Sequence, residues 1–213
     1  MKLIIFTTDT PHHIYFVKNI SKYFNIKATI LEKKLSSPPT FSTHHSFEDL
    51  RHEYENSILL EGEKQWFNDY CQTFEFDNIN DTACVHFIEK EKPDVILTFG
   101  TGIIKKPIID KCREGIVNFH GGDPQFYRGL DSHLWAIYHK DFSQIKVSLH
   151  RLNEAIYDGE IINQKSIQIT KDLELYMLRS KNTKVCISLT LSALNKFSKK
   201  GLFQFTPQKS IGR

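Results

Sequence analysis

Four short apolar runs rich in β-branched residues recur along the chain and constrain its fold more than any other feature. They lie at residues 2–8, 26–31, 94–99 and 115–119. Runs of this length that are mostly apolar are typical of parallel strands that are buried on both faces. Because segments with helical spacing separate them, the sequence predicts an α/β fold: a Rossmann-like, mainly parallel twisted sheet with helices on both faces.

Further elements are expected around these strands. The predicted helices follow Pro11 and lie at residues 82–90, 103–110 and 132–139, with a long helical tract at 171–199. Strands at residues 145–151 and 160–169 are expected to add a mixed or antiparallel edge to the sheet. The stretch 32–80 contains the breaker sequence Ser-Ser-Pro-Pro, so only one or two helices and a short strand are expected there.

Length and composition bound the class of protein. The 213 residues suit a single domain, residues 1–213, with a core at about 1–170 and a C-terminal helix and tail at 171–213. A net charge of +3, spread along the chain, argues against nucleic acid as an obligate partner. The four cysteines form no C-x-x-C pair, as expected of a cytoplasmic protein, and no apolar run is long enough to span a membrane.

Polar residues are concentrated where the strand at residues 115–119 ends. Asn118 and His120 stand two positions apart, and two glycines, a carboxylate and an arginine follow before the next predicted helix. Ligands of open α/β sheets bind outside the carboxyl ends of the strands, and residues two apart on a strand share a face. A lone histidine is usually part of a core, but these neighbours favour a site in which Asn118 and His120 face one reacting centre.

The order of these residues resembles the pattern of the folate-dependent formyltransferases, Asn-x-His-x-Ser-Leu-Leu-Pro-x-Tyr-Arg-Gly. It is met at Asn118, His120, Pro124, Tyr127, Arg128 and Gly129. The family also carries Asp-x-Gly after a strand with a histidine, and here His150 precedes Asp158 and Gly159. The chain departs from the family where Gly-Gly-Asp, residues 121–123, replaces Ser-Leu-Leu and where the spacer before Tyr127 is one residue longer.

The resemblance implies transfer of a formyl group from 10-formyltetrahydrofolate to an amine, with three catalytic residues. Asn118 and His120 are expected to stabilise charge on the formyl oxygen, each by about 100-fold to 1000-fold in rate. Asp158 is expected to orient His120 and to take part in proton transfer, an effect of roughly 100-fold to 10000-fold. The residues implied to bind the pterin of the donor are Gly102, Ile103, Ile104, Ala155, Ile156 and Tyr157.

The acceptor is inferred by elimination within the resembled family. Methionyl-tRNA formyltransferases carry a further C-terminal domain, whereas 14 residues follow Lys199 here. Glycinamide ribonucleotide formyltransferases, which remain the alternative, have a Gly-rich phosphate loop after the first strand, and this chain does not. Sugar N-formyltransferases remain, so the expected acceptor is a nucleotide-linked amino dideoxysugar for surface polysaccharides. Its expected binding residues are Thr8, Asp9, His12, His13 and Tyr15, with further cationic and aromatic groups such as Arg51 in the insertion at residues 36–69.

Two interpretations from other classes stay open. Gly100 and Gly102 form half of a dinucleotide fingerprint, although Lys105 stands where the third glycine belongs, so an oxidoreductase is one alternative. A non-catalytic protein that keeps a folate pocket is the other. The histidine pairs at residues 12–13 and 44–45 are adjacent in sequence, a spacing that does not suit one metal ion, so no metal is expected. Apolar residues of the C-terminal tract favour a homodimer.

Overall fold

The computed structural model describes residues 1–33, 46–112, 115–153 and 159–209. Strands in these residues are β1 (Leu3–Thr7), β2 (Ile26–Glu32), β3 (Thr73–Phe76), β4 (Val95–Thr98), β5 (Ile116–His120), β6 (Lys146–Arg151) and β7 (Ile161–Ser166). The α-helices are α1 (Pro11–Ser21), α2 (Ser46–Leu60), α3 (Thr82–Glu91), α4 (Lys106–Ile109), α5 (Ser132–Tyr138) and α6 (Leu178–Lys200). Short 3-10 helices lie at Phe67–Asp69, Phe142–Gln144 and Leu175–Met177.

All seven of these strands form one sheet, in the order β3-β2-β1-β4-β5-β6-β7. The strands from β3 to β5 are parallel, whereas β6 is antiparallel to β5 and β7 is antiparallel to β6. The predicted Rossmann-like sheet with a mixed edge is therefore confirmed. Because His120 lies opposite Ser148 and Val117 lies opposite Arg151, β6 begins beside the carboxyl end of β5 and ends beside its amino end.

Two layers of helices cover the sheet, as the sequence predicts. On β1, Leu3 and Ile5 pack in one apolar cluster with side chains of α1 and α6. Ile4 and Phe6 point to the other face and pack in a second cluster with side chains of α3 and α4. All four residues are fully buried, because successive side chains on a strand alternate between two covered faces.

Three element boundaries differ from the prediction. The helix expected at 103–110 forms only at Lys106–Ile109, because the Lys105 backbone is extended and its amide donates a hydrogen bond of 2.7 Å to Asn80 Oδ1. The helix expected from residue 171 begins at Leu178, after a turn in which the Leu173 amide bonds to Thr170. The last strand ends at Ser166 and not at residue 169.

The tail after α6 packs against the same core. Phe203 is buried, with its ring centroid 4.7 Å from that of Phe197. Thr206 forms an antiparallel bridge with Ile161, with both hydrogen bonds at 2.8 Å. Much of the apolar surface that favoured a homodimer is therefore covered within the chain, and the homodimer stays a prediction. In the part of the chain that the structure describes, none of the helices combines the length and hydrophobicity needed to cross a membrane.

Candidate active site

A cavity of about 300 Å³ opens at the carboxyl end of β5. Asn118 and His120 both line it, so the predicted pair does share one space. The opposite wall comes from α2 and from the start of α6. The other polar side chains that line the cavity include Arg51, Ser132, His133, Arg179 and Asn182. The apolar side chains that line it include Phe47, Phe99, Phe119, Leu175 and Leu178.

The side-chain amide of Asn118 is held on both sides. Thr98 Oγ1 donates a hydrogen bond of 2.6 Å to Asn118 Oδ1, and Asn118 Nδ2 lies 3.2 Å from His150 Nε2. His150 Nδ1 lies 2.8 Å from the Arg151 carbonyl, which can only accept, so Nδ1 carries the proton. Nε2 of the neutral ring therefore accepts from Asn118, which fixes the orientation of the amide.

Burial keeps His150 in that neutral form. The ring is buried on β6, and burial lowers the pKa of His150 to about 4, although its bond to the Arg151 carbonyl acts in the opposite direction. Thr98 is also fully buried. Asn118 is thus clamped by two groups that do not change their protonation at neutral pH, and its second Nδ2 proton is available in the cavity that it lines.

His120 is oriented by the loop that follows it. Its Nε2 lies 2.8 Å from the Tyr127 carbonyl and 3.2 Å from Ser132 Oγ. Since a carbonyl can only accept, Nε2 carries the proton, and Ser132 can accept from it while donating to Gly129 O at 3.2 Å. Burial lowers the pKa of His120 to about 4, so at neutral pH the ring is uncharged and Nδ1 is its basic nitrogen.

The Gly-Gly-Asp segment makes a floor that differs from the pattern of the resembled family. A Cβ on Gly122 would lie 2.9 Å from Ser132 Cβ and 3.2 Å from His120 Nε2, so a larger residue there would displace the His120 ring. Asp123 is buried, accepts a hydrogen bond of 3.0 Å from the Gln125 amide and lies 3.4 Å from Lys146 Nζ. The side chains of the usual Ser-Leu-Leu are thus replaced by contacts with α5 and β6.

Asp158 lies outside the described residues, as do Ala155, Ile156 and Tyr157. The residue that follows, Gly159, is described and is pressed against β6. A Cβ there would lie 1.7 Å from the carbonyl oxygen of Arg151, the same oxygen that fixes His150. The glycine after Asp158 is therefore required for the chain to approach the strand that supports Asn118.

Among the other residues expected to bind the pterin, Gly102 and Ile103 form backbone hydrogen bonds with side chains of this chain. The Gly102 amide donates a hydrogen bond of 2.7 Å to Glu32 Oε2, and the Ile103 carbonyl accepts one of 2.9 Å from Asn80. Ile104 is buried in the core beneath α4. Because the turn is anchored to Glu32 and no helix starts directly after it, it also lacks the helix N-terminus that binds the pyrophosphate of a dinucleotide.

The residues expected to bind the acceptor are placed away from this cavity. His12 and His13 are buried at the start of α1, and burial lowers the pKa of both rings. Thr8 and Asp9 line a second cavity, of about 310 Å³, at the ends of β1 and β2. Tyr15 is half-buried and packs against the apolar core. None of the five is among the described residues that line the cavity of Asn118.

Two residues of the far wall, Arg179 and Asn182, and the carboxylate of Glu55 that supports Arg179 were not predicted from the sequence. Glu55 on α2 is fully buried and accepts hydrogen bonds of 2.7 Å and 2.5 Å from Arg179 on α6. Burial would raise the pKa of Glu55, but its bonds to Arg179 and His12 outweigh burial and lower it to about 2. Asn182 lies one turn beyond Arg179 in the same wall. In sequence each looks like an ordinary helical position, and the pair Glu55 and Arg179 joins residues 124 positions apart.

Among the described residues, no three or more His, Cys, Asp or Glu side chains are grouped as a metal site.

Comparison with known proteins gives a consistent fold. A family model described as formyl transferase matches residues 2–193. The methionyl-tRNA formyltransferase of Agathobacter rectalis is 26% identical over 144 residues, which cover 65% of this chain and 44% of that protein. The chain thus spans less than half the length of this curated relative.

Two solved structures illustrate the range of similar proteins. The phosphoribosylglycinamide formyltransferase of Bacillus halodurans aligns with a TM-score of 0.65 at 15% identity, covering 94% of this chain and 97% of that one. The formyltransferase PseJ of Anoxybacillus kamchatkensis, in complex with UDP-4,6-dideoxy-4-formamido-L-AltNAc and tetrahydrofolate, aligns with a TM-score of 0.60 at 14% identity, covering 100% of this chain and 84% of that one. At these identities the likeness shows the fold.

Proposed function

Because the chain belongs to the formyl transferase family, we propose that it transfers a formyl group from 10-formyltetrahydrofolate to the amine of a nucleotide-linked amino dideoxysugar. The observation that carries the transfer chemistry is the clamped amide of Asn118 beside neutral His120 in one cavity. Residues 1–213 act in this proposal as a single catalytic domain.

The residues present suit a formyl donor. Asn118 offers a preoriented N–H group, and the cavity of about 300 Å³ lies at the lower end of the volumes found for small-molecule sites. When bound, the donor supplies an activated formyl carbon. Asn118 donates to the formyl oxygen as negative charge gathers there, and a fixed donor of this kind is worth about 100-fold to 1000-fold in rate. Asp158 is assigned the role in proton transfer that the family resemblance implies.

His120 handles a proton in this proposal. The family resemblance led us to expect that His120 donates to the formyl oxygen. Its Nε2 proton is instead donated to the Tyr127 carbonyl, so in this arrangement the ring does not direct that proton at the formyl oxygen. The basic nitrogen Nδ1 can instead accept the proton that the attacking amine must lose, directly or on its way to Asp158. The new C–N bond forms as the bond to the donor nitrogen breaks, and that nitrogen gains a proton.

Two features support a sugar nucleotide as the acceptor. The far wall of the cavity carries two guanidinium groups, those of Arg51 and Arg179, which suit the phosphates of such a ligand. PseJ, which shares the fold, was solved with a UDP-linked formamido sugar. Glycinamide ribonucleotide is the second candidate, because it also bears a phosphate and because the Bacillus halodurans enzyme matches this chain over nearly its whole length.

The test is a direct assay of formyl transfer. The purified chain is incubated with 10-formyltetrahydrofolate and, separately, with UDP-, dTDP- and GDP-linked 3-amino and 4-amino dideoxysugars, glycinamide ribonucleotide and methionyl-tRNA. Mass spectrometry then follows the gain of one formyl group on each acceptor. Asn118→Ala serves as the control for catalysis at this site.

Formylation of one of the sugar nucleotides, lost in Asn118→Ala, is the expected result. Formylation of glycinamide ribonucleotide alone would replace the proposed acceptor with the second candidate. Transfer to methionyl-tRNA alone would overturn both. A product formed equally well by Asn118→Ala would show that the cavity at β5 is not where transfer takes place.

A further inference from the structure

The wall of the cavity opposite Asn118 contains polar atoms without hydrogen-bond partners in the residues that the structure describes. The wall is formed by Arg51 on α2 and by Arg179 and Asn182 on α6. We call these three side chains the α2–α6 wall. Buried polar atoms in proteins are nearly always hydrogen-bonded, so each exception requires an explanation.

Arg51 is the cation of the wall with the weaker internal partner. Its Nη2 lies 3.8 Å from Glu48 Oε2, beyond hydrogen-bond distance, in a pair whose side chains are 24% and 34% exposed. Its Nε is buried and has no hydrogen-bond partner among the described residues. The guanidinium also lies 5.5 Å from the ring centroid of Phe47, another residue of the cavity lining. Such a group is prepared to receive an anion, because its position is supported while a donor remains unused.

Arg179 differs because its charge is balanced internally. Its Nε and Nη2 both donate hydrogen bonds to Glu55, the fully buried carboxylate of α2. Burial and the charge of Arg179 both lower the pKa of Arg51, as expected of two cations close together in a partly buried place. Glu55 balances the charge of Arg179, whereas Arg51 lies 3.8 Å from Glu48 and shares the cavity lining with Asp131. Among the described residues, Arg51 is therefore the cation of the wall without a hydrogen-bonded carboxylate, which a bound anion would supply.

Asn182 adds an unpaired acceptor to the same wall. The residue is buried, with an exposed fraction of 8%, and in the described part of the chain its Oδ1 has no hydrogen-bond partner. An amide offers an acceptor at one end and donors at the other, so it can bind a hydroxyl group in either orientation. A buried amide oxygen in a cavity, next to an arginine, is suited to a ligand that carries both an anionic group and a hydroxyl.

We propose that the α2–α6 wall binds the phosphorylated sugar part of the acceptor, with phosphate oxygens accepting from Arg51 and Arg179 and a sugar hydroxyl donating to Asn182. This assignment rests on the proposed function, and it moves the acceptor subsite from the loop after β1 to α2 and α6. Since Arg51 and Asn118 line one cavity, binding at the wall holds the rest of the acceptor in the same space as the clamped amide.

The experiment measures binding without turnover. Isothermal titration calorimetry follows the binding of inorganic pyrophosphate and of UDP, dTDP and GDP to the wild-type chain and to three variants. Arg51→Gln removes the cation with little risk to folding, because Arg51 Nε makes no internal hydrogen bond. Asn182→Leu removes the unpaired acceptor at nearly constant volume. Lys181→Gln, at an exposed position of α6 outside the cavity lining, is the matched control for the loss of one positive charge.

The expected result is that wild type binds pyrophosphate and at least one nucleoside diphosphate. Arg51→Gln should weaken both about 10-fold to 100-fold, the range for a charge-assisted hydrogen bond, whereas Lys181→Gln should change them less than about 2-fold, as for a screened surface charge. Asn182→Leu should raise the KM of the formylated acceptor by about 5-fold to 10-fold, as for the loss of one neutral hydrogen bond, and should leave pyrophosphate binding unchanged.

Three outcomes would overturn the assignment: no binding of any probe by wild type, equal effects of Arg51→Gln and Lys181→Gln, or an unchanged acceptor KM in Asn182→Leu. Failure here is distinguishable from failure of the proposed function. If sugar nucleotides are formylated but Arg51→Gln binds them like wild type, only the subsite is wrong. If pyrophosphate binding depends on Arg51 but no sugar nucleotide is formylated, the acceptor assignment is wrong and the anion subsite stands.

Discussion

Arg179→Met is expected to destabilise the fold because it leaves a buried carboxylate without its main partner. Glu55 is fully buried, and both of its oxygens accept hydrogen bonds from Arg179. In the variant Glu55 keeps the contact with His12, whose Nδ1 lies 3.6 Å from Glu55 Oε2 but whose pKa is lowered by burial, so that ring supplies no positive charge at pH 7. The carboxylate must then either stay charged in a buried place or take up a proton.

The magnitude follows from the pKa of Glu55. The pKa falls from 4.5 to about 2 in the folded chain, and each unit corresponds to about 1.4 kcal/mol, so the charged form gains roughly 3 kcal/mol from its surroundings. Removal of one partner of a buried pair typically costs about 3–5 kcal/mol. Both figures predict a loss of about 3–5 kcal/mol in the free energy of unfolding at pH 7.

The dependence on pH gives the direction in which the stability difference between wild type and Arg179→Met should change. In wild type the folded pKa of Glu55 is depressed, so the contribution of the pair is present above pH 4.5 and is lost as the pH falls toward 2. In Arg179→Met the pKa of Glu55 should rise, because burial is no longer opposed by the guanidinium. The difference in stability between the two proteins should therefore shrink as the pH is lowered from 7 to 3.

Urea unfolding at several pH values, followed by circular dichroism, measures the effect. Glu55→Leu combined with Arg179→Met removes both charges and should recover most of the lost stability, since replacement of a buried ion pair by apolar residues is often neutral. Lys181→Met on the same helix is the control and should change stability by less than about 0.5 kcal/mol. A loss below 1 kcal/mol in Arg179→Met, or one that does not vary with pH, would refute the reasoning.

Three further predictions concern the active site. Thr98→Val removes the donor to Asn118 Oδ1 and should lower kcat about 10-fold with unchanged folate affinity; steady-state kinetics that show a normal kcat would contradict the clamp. His120→Asn and Asp158→Asn should each lower kcat at least about 100-fold while folate binding stays within a few-fold, and a rate above a tenth of wild type would reject their roles. The pKa values of His120 and His150 are about 4 in the folded chain. As the pH falls, the two histidines therefore bind protons in the unfolded chain before they do so in the folded chain. Stability should then drop between pH 6.5 and 4, by roughly 3 kcal/mol for each ring; denaturation curves independent of pH in that window would disprove this.

The hydrophobic pattern by itself determined the architecture. Apolar runs such as residues 2–8 and 94–99 can only be buried on both faces, so parallel strands between two helical layers follow from sequence. The spacing of Asn118 and His120 at the end of such a run also predicted that both would line one cavity, because strand periodicity is local. These inferences rest on neighbours in the chain, and the fold was predicted correctly from them.

Tertiary structure alone decided how the residues around that cavity act. Whether His12 and His13 face a ligand or the core depends on how α1 packs, and they are buried. The proton on His120 is assigned by the Tyr127 carbonyl, a contact that depends on the path of the loop. The pair Glu55 and Arg179 joins residues 124 positions apart. Burial and charge pairing depend on distance in space and not on position in sequence, so local patterns carry no trace of them.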